Sequence, residues 1–493
     1  MDRSRHLLSL MAVSVLLASC GGSTEESTTA TTTAPPAAMA ATPSLDEVIN
    51  AMGMADVDSL TFSGSAWRIR NSFRQTLTAS PPWPDRDEIT NFVRTIDLSQ
   101  PASFARGDTF ASNLFLDPPV AGTYIQNIPA TQTSWGQQLE IWLTPWGFLQ
   151  GAEDNAASIS TTTMDGEEYT MISWMSPEGQ TAPSGLRYTV NGYVNDDNLV
   201  TMVETWVEDA FMGDMHVVGV YSDYQSFNGL MVPTVIEQQR GGGGIFGVEV
   251  EAAAANPADL AALMDYTPPA GGGGPGGGGG GAAPTDITQM VADGVYLVTA
   301  GYQSMAVEFS DHIVVLESGQ SEARGEQILA EVKAAIPGKP IRYIVNSHPH
   351  SDHTAGLIPF VREGATIVTH ANNVDFLEMA LSTPRTLLGE ETMNPQFMGI
   401  EGVGVLEDDT MRIDLHSVPN LHTDGMLVPV LPQQGIMFQA DFTLPVAGAQ
   451  ANPFVVTLAN YVADNNVQFE QYIAVHAAAT AQTRADLLAT IGE

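Results

Sequence analysis

The first half of the chain holds strand-like runs at 60–63, 66–69, 169–174, 186–194, 199–207, 215–221 and 232–239, several of which alternate apolar and polar residues with a period of two. Successive side chains of a strand point to opposite faces, so this alternation predicts an antiparallel sheet with one buried face. Turn-forming runs such as Val194-Asn-Asp-Asp197 separate the stretches, and glycines 241–244 read as a hairpin tip. A helix is expected over 44–54, with Asp46 and Glu47 in its first turn. The second half changes rhythm. A helix over 322–336 places Ile328, Val332 and Ala335 on one stripe, and Pro337-Gly338 stops it. Further helices are expected at 356–362, 371–381, 453–464 and 483–491, with short apolar strands at 341–345, 366–369, 411–418, 426–431, 436–439 and just before His476. Two sheets flanked by helices would bury these runs on both faces. The expected class is therefore α+β, an antiparallel β-rich domain followed by a layered domain of sheets and helices.

The chain has 493 residues and is 44% hydrophobic, enough for two or three cores. Residues 271–281 are nearly pure glycine, interrupted by Pro275, which marks a flexible linker over 266–284. It divides a β-rich domain at 44–265 from a second domain at 285–493, and implies few contacts between them. All 7 tryptophans precede it: Trp67, Trp83, Trp135, Trp142, Trp146, Trp174 and Trp206. Tryptophan is usually well buried, so an aromatic core is the first expectation, with an apolar groove or a lid as the alternative.

The extreme N-terminus has a different character. A short segment with two arginines precedes an apolar run over 7–18, too short to span a bilayer stably, which ends in Leu17-Ala-Ser-Cys20-Gly21. Cys20 is the single cysteine of the chain. The Leu-Ala-Ser-Cys block resembles a bacterial lipobox, which implies a signal peptide over 1–20, cleavage before Cys20 and lipidation of that residue. Residues 21–43 are almost entirely Ser, Thr, Ala, Pro and Gly, a composition that cannot bury enough apolar surface to fold, so they read as a tether. The implied location is the cell envelope, on the periplasmic side of the outer membrane or at the cell surface, with the lipid as the membrane contact.

Charge narrows the partners. With 57 acidic against 18 basic residues the net charge is -39, and the lysines are Lys333 and Lys339 alone. Nucleic acids and anionic lipid surfaces both require basic patches, so neither is expected. So acidic a surface suggests salt adaptation, which would show as stability that rises with ionic strength. A small-molecule substrate is the expected partner, and oligomeric state leaves no trace in the sequence.

The chemistry concentrates in Ile344-Val-Asn-Ser-His348-Pro-His350-Ser-Asp352-His353-Thr-Ala-Gly356, directly after the apolar run 341–345. A strand ending in such a loop aims its side chains at one point above the sheet edge. Imidazoles suit zinc and a carboxylate suits a harder position, so one HxHxDH loop can supply two ligands to one metal and two to its neighbour. Two sites need more donors. His422, in Pro419-Asn-Leu-His422-Thr-Asp-Gly425, and Asp441 and His476, each after an apolar run, are the candidates. His370 ends a strand and is expected to be structural. His216, His312 and His416 have no motif context.

This order of motifs resembles the metallo-β-lactamase superfamily over roughly 285–493. The resemblance implies an αββα sandwich, one metal held by His348, His350 and His422, and a second held by Asp352, His353 and His476, with Asp441 bridging. It implies two divalent ions, zinc first, with iron or manganese as alternatives, and a hydrolase in which the ions together lower the pKa of a water while Asp352 both binds metal and accepts a proton. Glu317, in Ile313-Val-Val-Leu-Glu317-Ser-Gly319, stands where the superfamily usually has an Asp. A cysteine-ligated site is excluded by count, so the set looks more like hydroxyacylglutathione hydrolases, lactonases and phosphodiesterases. The expected bond is an ester, thioester, lactone, amide or phosphodiester. A di-iron redox protein on the same fold and a non-catalytic lipid- or partner-binding lipoprotein are the alternatives. In the first domain, Tyr221-Ser-Asp-Tyr-Gln-Ser-Phe-Asn-Gly-Leu-Met-Val-Pro233 resembles an element of outer-membrane lipoprotein-sorting proteins, which implies a curved antiparallel sheet around a helix.

Overall fold

The helix expected at 44–54 forms over Leu45–Ala51, because Ser44 and Glu47 close a reciprocal capping box at its start. The computed structural model of the protein describes residues 42–69, 86–112, 120–164, 166–266, 287–299, 302–420, 422–446, 449–476 and 482–492. Cys20, most of the tether, Trp83 and most of the glycine linker lie outside the described residues.

The first half builds one antiparallel sheet of eleven strands. From edge to edge it runs Val120–Ile128, Ala102–Ser112, Arg86–Asp97, Ser59–Ile69, Gly243–Ala255, Leu230–Arg240, Gly213–Phe227, Val200–Asp209, Thr189–Val194, Glu167–Met175 and Ser158–Met164. The stretches at 60–63 and 66–69 are one strand, bulged at Ser63/Gly64. A side chain at Gly64 would collide with the Glu249 carbonyl. The glycine hairpin tip forms as expected, with Arg240 opposite Gly243. Two helices that periodicity did not indicate, Trp135–Trp142 and Pro145–Asp154, lie against this sheet. Arg94 on the third strand reaches Glu140 at 2.9 Å, and Trp174 on the tenth strand meets the Trp135 and Trp142 rings at 6.0 Å. Seven strand spacings laid flat would separate Arg94 and Trp174 by about 34 Å, whereas one eight-residue helix is only ~12 Å long. The sheet therefore curls around the helices. Trp135, Trp142, Trp146 and Trp174 are buried there, so these four form a core, while Trp67 and Trp206 are only partly buried.

The second half is the expected αββα sandwich. A seven-stranded sheet holds Ile313–Leu316, Ile341–Val345, Thr366–His370 and Gln396–Ile400 as parallel neighbours, and a five-stranded sheet pairs Ile436–Gln439 with Gln471–Ala474 in parallel. Alternation places Val314, Leu316, Val345 and Val368 against Leu415, Leu427 and Phe438 between the sheets. The opposite positions Ile313, Val315, Ile344 and Ile367 pack against Ile328, Val332, Phe360 and Leu377 of the helices. Val428, Val430 and Met437 face Leu458 and Val462 of helix Pro453–Asp464 on the other side. The helix expected at 371–381 is split into a 3-10 turn, Ala371–Asn373, and Val374–Ser382, because the His370 ring accepts from Asn372 N.

The few contacts expected between the halves are not what forms, and Thr42–Glu493 is one compact unit. Asp214 accepts hydrogen bonds from Thr386 N, Thr386 Oγ1 and Leu387 N. Arg385, buried, donates to the Ala210 carbonyl and pairs with Glu390. The Phe211 and Phe376 rings lie 6.4 Å apart. Among the described residues no helix is long and apolar enough to cross a membrane.

Candidate metal centre

Strand Ile341–Val345 is apolar and buried at its end, and Asn346 closes the loop that follows by donating to the carbonyls of His348 and His353. His350 begins a short helical turn, Ser351–Thr354, and Thr354 Oγ1 returns to the His350 carbonyl. The next turn passes so close to Ser318 that a Cβ at Gly356 would lie 2.0 Å from the Ser318 carbonyl oxygen. Backbone contact at that distance admits only glycine, so Gly356 fixes where the loop folds back. In the facing sheet, parallel pairing of Gln439 with Ala474 brings Asp441 and His476 out side by side, just past their strand ends. His422 is held by Asn420 Oδ1, which accepts from His422 N and Thr423 N. The Phe454 ring stands edge-on to His422 at 4.7 Å.

All seven predicted donors converge. His348, His350, His422 and Asp441 form one group, and Asp352, His353, Asp441 and His476 a second, each with donor atoms within 4.8 Å of one another. Asp441 belongs to both through different oxygens. Its Oδ2 lies 2.6 Å from His422 Nε2 and 3.0 Å from His348 Nε2. Its Oδ1 lies 3.1 Å from His476 Nε2 and 3.4 Å from His353 Nε2. Facing imidazole nitrogens are also close, His422 to His348 at 3.2 Å and His476 to His353 at 3.0 Å. Bonds of 2.0–2.1 Å to a tetrahedral zinc put neighbouring ligand atoms ~3.3 Å apart, so these spacings suit a metal at each group. Asp352 adds a further sign. Its Oδ2 faces His353 and His476, while Oδ1 is buried with no hydrogen-bond partner.

Burial sets the charge of the imidazoles. It pushes His348 down to about 4 and His350 well below the ordinary range, with neighbouring rings adding to the effect, so both keep neutral nitrogens with lone pairs to offer. Burial also disfavours charge on His353 and His476. There it is outweighed by Asp441 and Glu317 around His353, and by Asp352 and Asp441 at His476, which is raised to about 9. A cation between these nitrogens would take the place of the protons.

The supporting residues were only partly foreseen. Glu317 is buried and holds a left-handed backbone, φ +69°. Its Oε2 lies 2.7 Å from His353 Nδ1, and Oε1 accepts from Ser347 N. Its extra methylene relative to Asp does not prevent it from orienting the imidazole. Tyr302 stands in no recognisable motif. Its hydroxyl donates to Glu317 at 2.8 Å, and its ring stands edge-on to His476 at 5.4 Å. Ser347 Oγ lies 2.9 Å from His348 Nδ1. A tyrosine and a serine of this kind carry no spacing signal. His370, expected to be structural, bonds Ser417 Oγ at 2.8 Å and is not among the donors.

Residues 301–461 match the family model of the metallo-beta-lactamase superfamily. Similar solved structures include metallo-beta-lactamases from Pontibacter korlensis (16% identity, 42% of this chain and 98% of that one, TM-score 0.33) and Erythrobacter litoralis (19%, 42% and 94%, TM-score 0.33). Another is a Pseudomonas aeruginosa metallo-beta-lactamase in a mono-zinc form (18%, 42% and 94%, TM-score 0.31). No curated protein matches the chain. Superfamily membership implies a metal-dependent hydrolase, and the C-terminal region of this chain, over residues 301–461, is a metallo-beta-lactamase superfamily domain.

Proposed function

We propose that this protein is a lipid-anchored, extracytoplasmic hydrolase that binds two divalent metal ions, most readily zinc, and cleaves an ester, thioester, lactone, amide or phosphodiester. The single observation that carries the reading is Asp441, whose two oxygens face two separate groups of imidazoles. His348, His350 and His422 would hold one ion, and Asp352, His353 and His476 the other, with Asp441 common to both. Divalent ions in such sites act as Lewis acids and bring the pKa of water towards neutrality.

The chain supplies the rest. Glu317 and Ser347 orient His353 and His348 through their Nδ1 atoms, which leaves both Nε2 atoms facing inwards. Asp352, whose Oδ1 meets no hydrogen-bond partner in the protein, is the carboxylate that would receive a proton during turnover. The Leu17-Ala-Ser-Cys20 block and the tether after it support export and anchoring. Metal analysis of the purified protein and a hydrolysis screen of wild type against Asp352→Ala test the reading. Two ions per chain and turnover lost in the variant are expected, and a metal-free protein, or a variant as active as wild type, would refute it.

A further inference from the structure

Two loops supply the first group of imidazoles. His348 and His350 come from the loop after strand Ile341–Val345, and His422 from the loop between strands Arg412–Ser417 and Leu427–Leu431. A zinc centre holds its ligand distances to within about 0.2 Å, so the spacing of these loops has to be set closely. The second group is built differently. Asp352 and His353 share one loop, and Asp441 and His476 leave strands that pair in parallel.

A third element joins the two loops, the turn Ala371–Asn373 that follows strand Thr366–His370. Asn373 Nδ2 donates to the Gly425 carbonyl at 2.8 Å and to Thr369 Oγ1 at 3.1 Å. Thr369 Oγ1 donates in turn to Asn346 Oδ1 at 3.2 Å, and Asn346 Nδ2 holds the carbonyls of His348 and His353 at 2.9 and 3.0 Å. Asn346, Thr369 and Asn373 are all buried. They run without a break from the backbone of the HxHxDH loop to the carbonyl of Gly425, just past His422. A Cβ at Gly425 would lie 2.1 Å from Asn373 Oδ1, and the Gly425 φ is outside the left-handed range, so the approach of Asn373 is what calls for glycine there. Removing the Asn373 amide would orphan a carbonyl and a hydroxyl in the interior. Asn372 provides the contrast, because its Nδ2 meets Asp424 Oδ2 at 3.1 Å in an exposed bond that water can replace. We infer that Asn373 is a positioning residue for the first metal, an inference that rests on the dimetal reading above. Acting through Gly425 and Asn346, it sets where His422 stands relative to His348 and His350. The backbone bond from Leu427 N to the Ser347 carbonyl, 2.8 Å, joins the same loops without it, so loss of Asn373 should loosen the site and spare the fold.

The test reads metal binding and needs no substrate. Zinc binding to the full chain is measured by competition with a chromophoric chelator, and selective 15N labelling of histidine identifies which imidazoles take the ion. Wild type should bind two ions. Asn373→Ala should weaken one of them ~10–100-fold, with His350 and His422 needing the extra zinc while His353 and His476 saturate as in wild type. Asn372→Ala should stay within about threefold of wild type. Gly425→Ala should reproduce the Asn373→Ala defect, because its methyl displaces the amide. The double variant should be no worse than either single one, since the methyl then occupies the space that Asn373 leaves. An asparagine that served only the fold would lower both affinities together or neither. Should Asn373→Ala not fold, Thr369→Val takes its place: it keeps the shape of the side chain, breaks the link to Asn346, and should shift the same imidazoles. The inference is overturned if the variant binds both ions within about threefold of wild type, if it weakens both equally, or if the Asn373→Ala and Gly425→Ala defects add. Two ions bound by a wild type that hydrolyses nothing would end the hydrolase reading and leave the positioning role standing. A wild-type chain that binds no zinc would overturn the metal reading and this inference together.

Discussion

Glu317 Oε2 lies 2.7 Å from His353 Nδ1, and the His353 Nε2 on the far side of the ring faces both His476 and Asp441. The carboxylate thus decides which nitrogen points into the metal centre. A carboxylate behind a ligating imidazole fixes the tautomer and raises the basicity of the other nitrogen. Glu317→Gln preserves size but can turn a donor towards Nδ1, so divalent-metal affinity should fall ~10–100-fold. Competition with a chelator measures this, and affinity within threefold of wild type would show that Glu317 does not orient the ring.

Asp441 is placed to space two metals, so its removal should cost more than one ligand's share. Asp441→Ala and His353→Ala should each lower hydrolysis at least ~100-fold with the fold largely retained. His370→Ala should be mild, because His370 contacts Ser417 and Asn372 and none of the donors. Metal stoichiometry and turnover of a generic ester or lactone, measured on all three variants, decide the matter. Two retained ions and a near-normal rate in Asp441→Ala would mean that it does not bridge.

Most of this centre was legible because its donors follow strands that read plainly. The runs at 341–345 and 436–439 are largely apolar, with Arg342 and Gln439 the exceptions, and they form strands over those residues. The first domain hid more. Arg86–Asp97 buries Asp87, Arg94 and Thr95 alongside Ile89, Phe92 and Ile96, which disguises the alternation of a half-buried strand. Helix Trp135–Trp142 buries Gln138 and Glu140 among its apolar residues, so no clean stripe marks it. In each case a polar partner from distant sequence makes the burial tolerable, and local periodicity carries no record of it. Glu317 was legible as a departure from a motif, but its bond to His353 depends on how a side chain crosses between two loops.

The Leu17-Ala-Ser-Cys20 block predicts where the protein resides. Wild type should fractionate with membranes, and Cys20→Ala should be released into the soluble fraction, because multiple acyl chains anchor stably where none remains in the variant. Gly21 in place of an Asp after the cysteine slightly favours the outer membrane. Membrane association unchanged in Cys20→Ala would remove the anchor from the reading.

Asp214 ties the two halves of the chain by accepting three hydrogen bonds from Thr386 and Leu387. Asp214→Ala should cost about 1–3 kcal/mol, since it strips a charged acceptor from donors of which one, Leu387 N, is partly buried. Urea denaturation of the full chain, followed by tryptophan fluorescence, reports on the first half directly. An unaltered midpoint would show that the contact is incidental. A fragment starting at 285 would leave Arg385 and Phe376 without Ala210 and Phe211, so it should retain metal less firmly than the full chain.

Within the curled sheet, Arg94 and Glu140 form a buried ion pair at 2.9 Å, joined by Gln238. Burial pushes the Glu140 carboxyl up, but the Arg94 and Arg240 guanidiniums and the bonds from Arg94 and Gln238 outweigh it and hold the group below the usual carboxylate range. A carboxyl depressed in the folded state contributes stability above its unfolded pKa of ~4.3, and that contribution is lost as pH falls through the folded value. Arg94→Met reverses the situation by leaving Glu140 buried beside the more distant Arg240, 3.8 Å away. The variant should lose about 3–5 kcal/mol at pH 7. The deficit should shrink as pH is lowered, because the poorly paired carboxyl then takes up a proton at a higher pH than in wild type. Denaturation of both proteins between pH 7 and pH ~4.5 reads the difference. A deficit that stays constant across that window would mean that the loss comes from packing around residue 94 and not from the charge on Glu140.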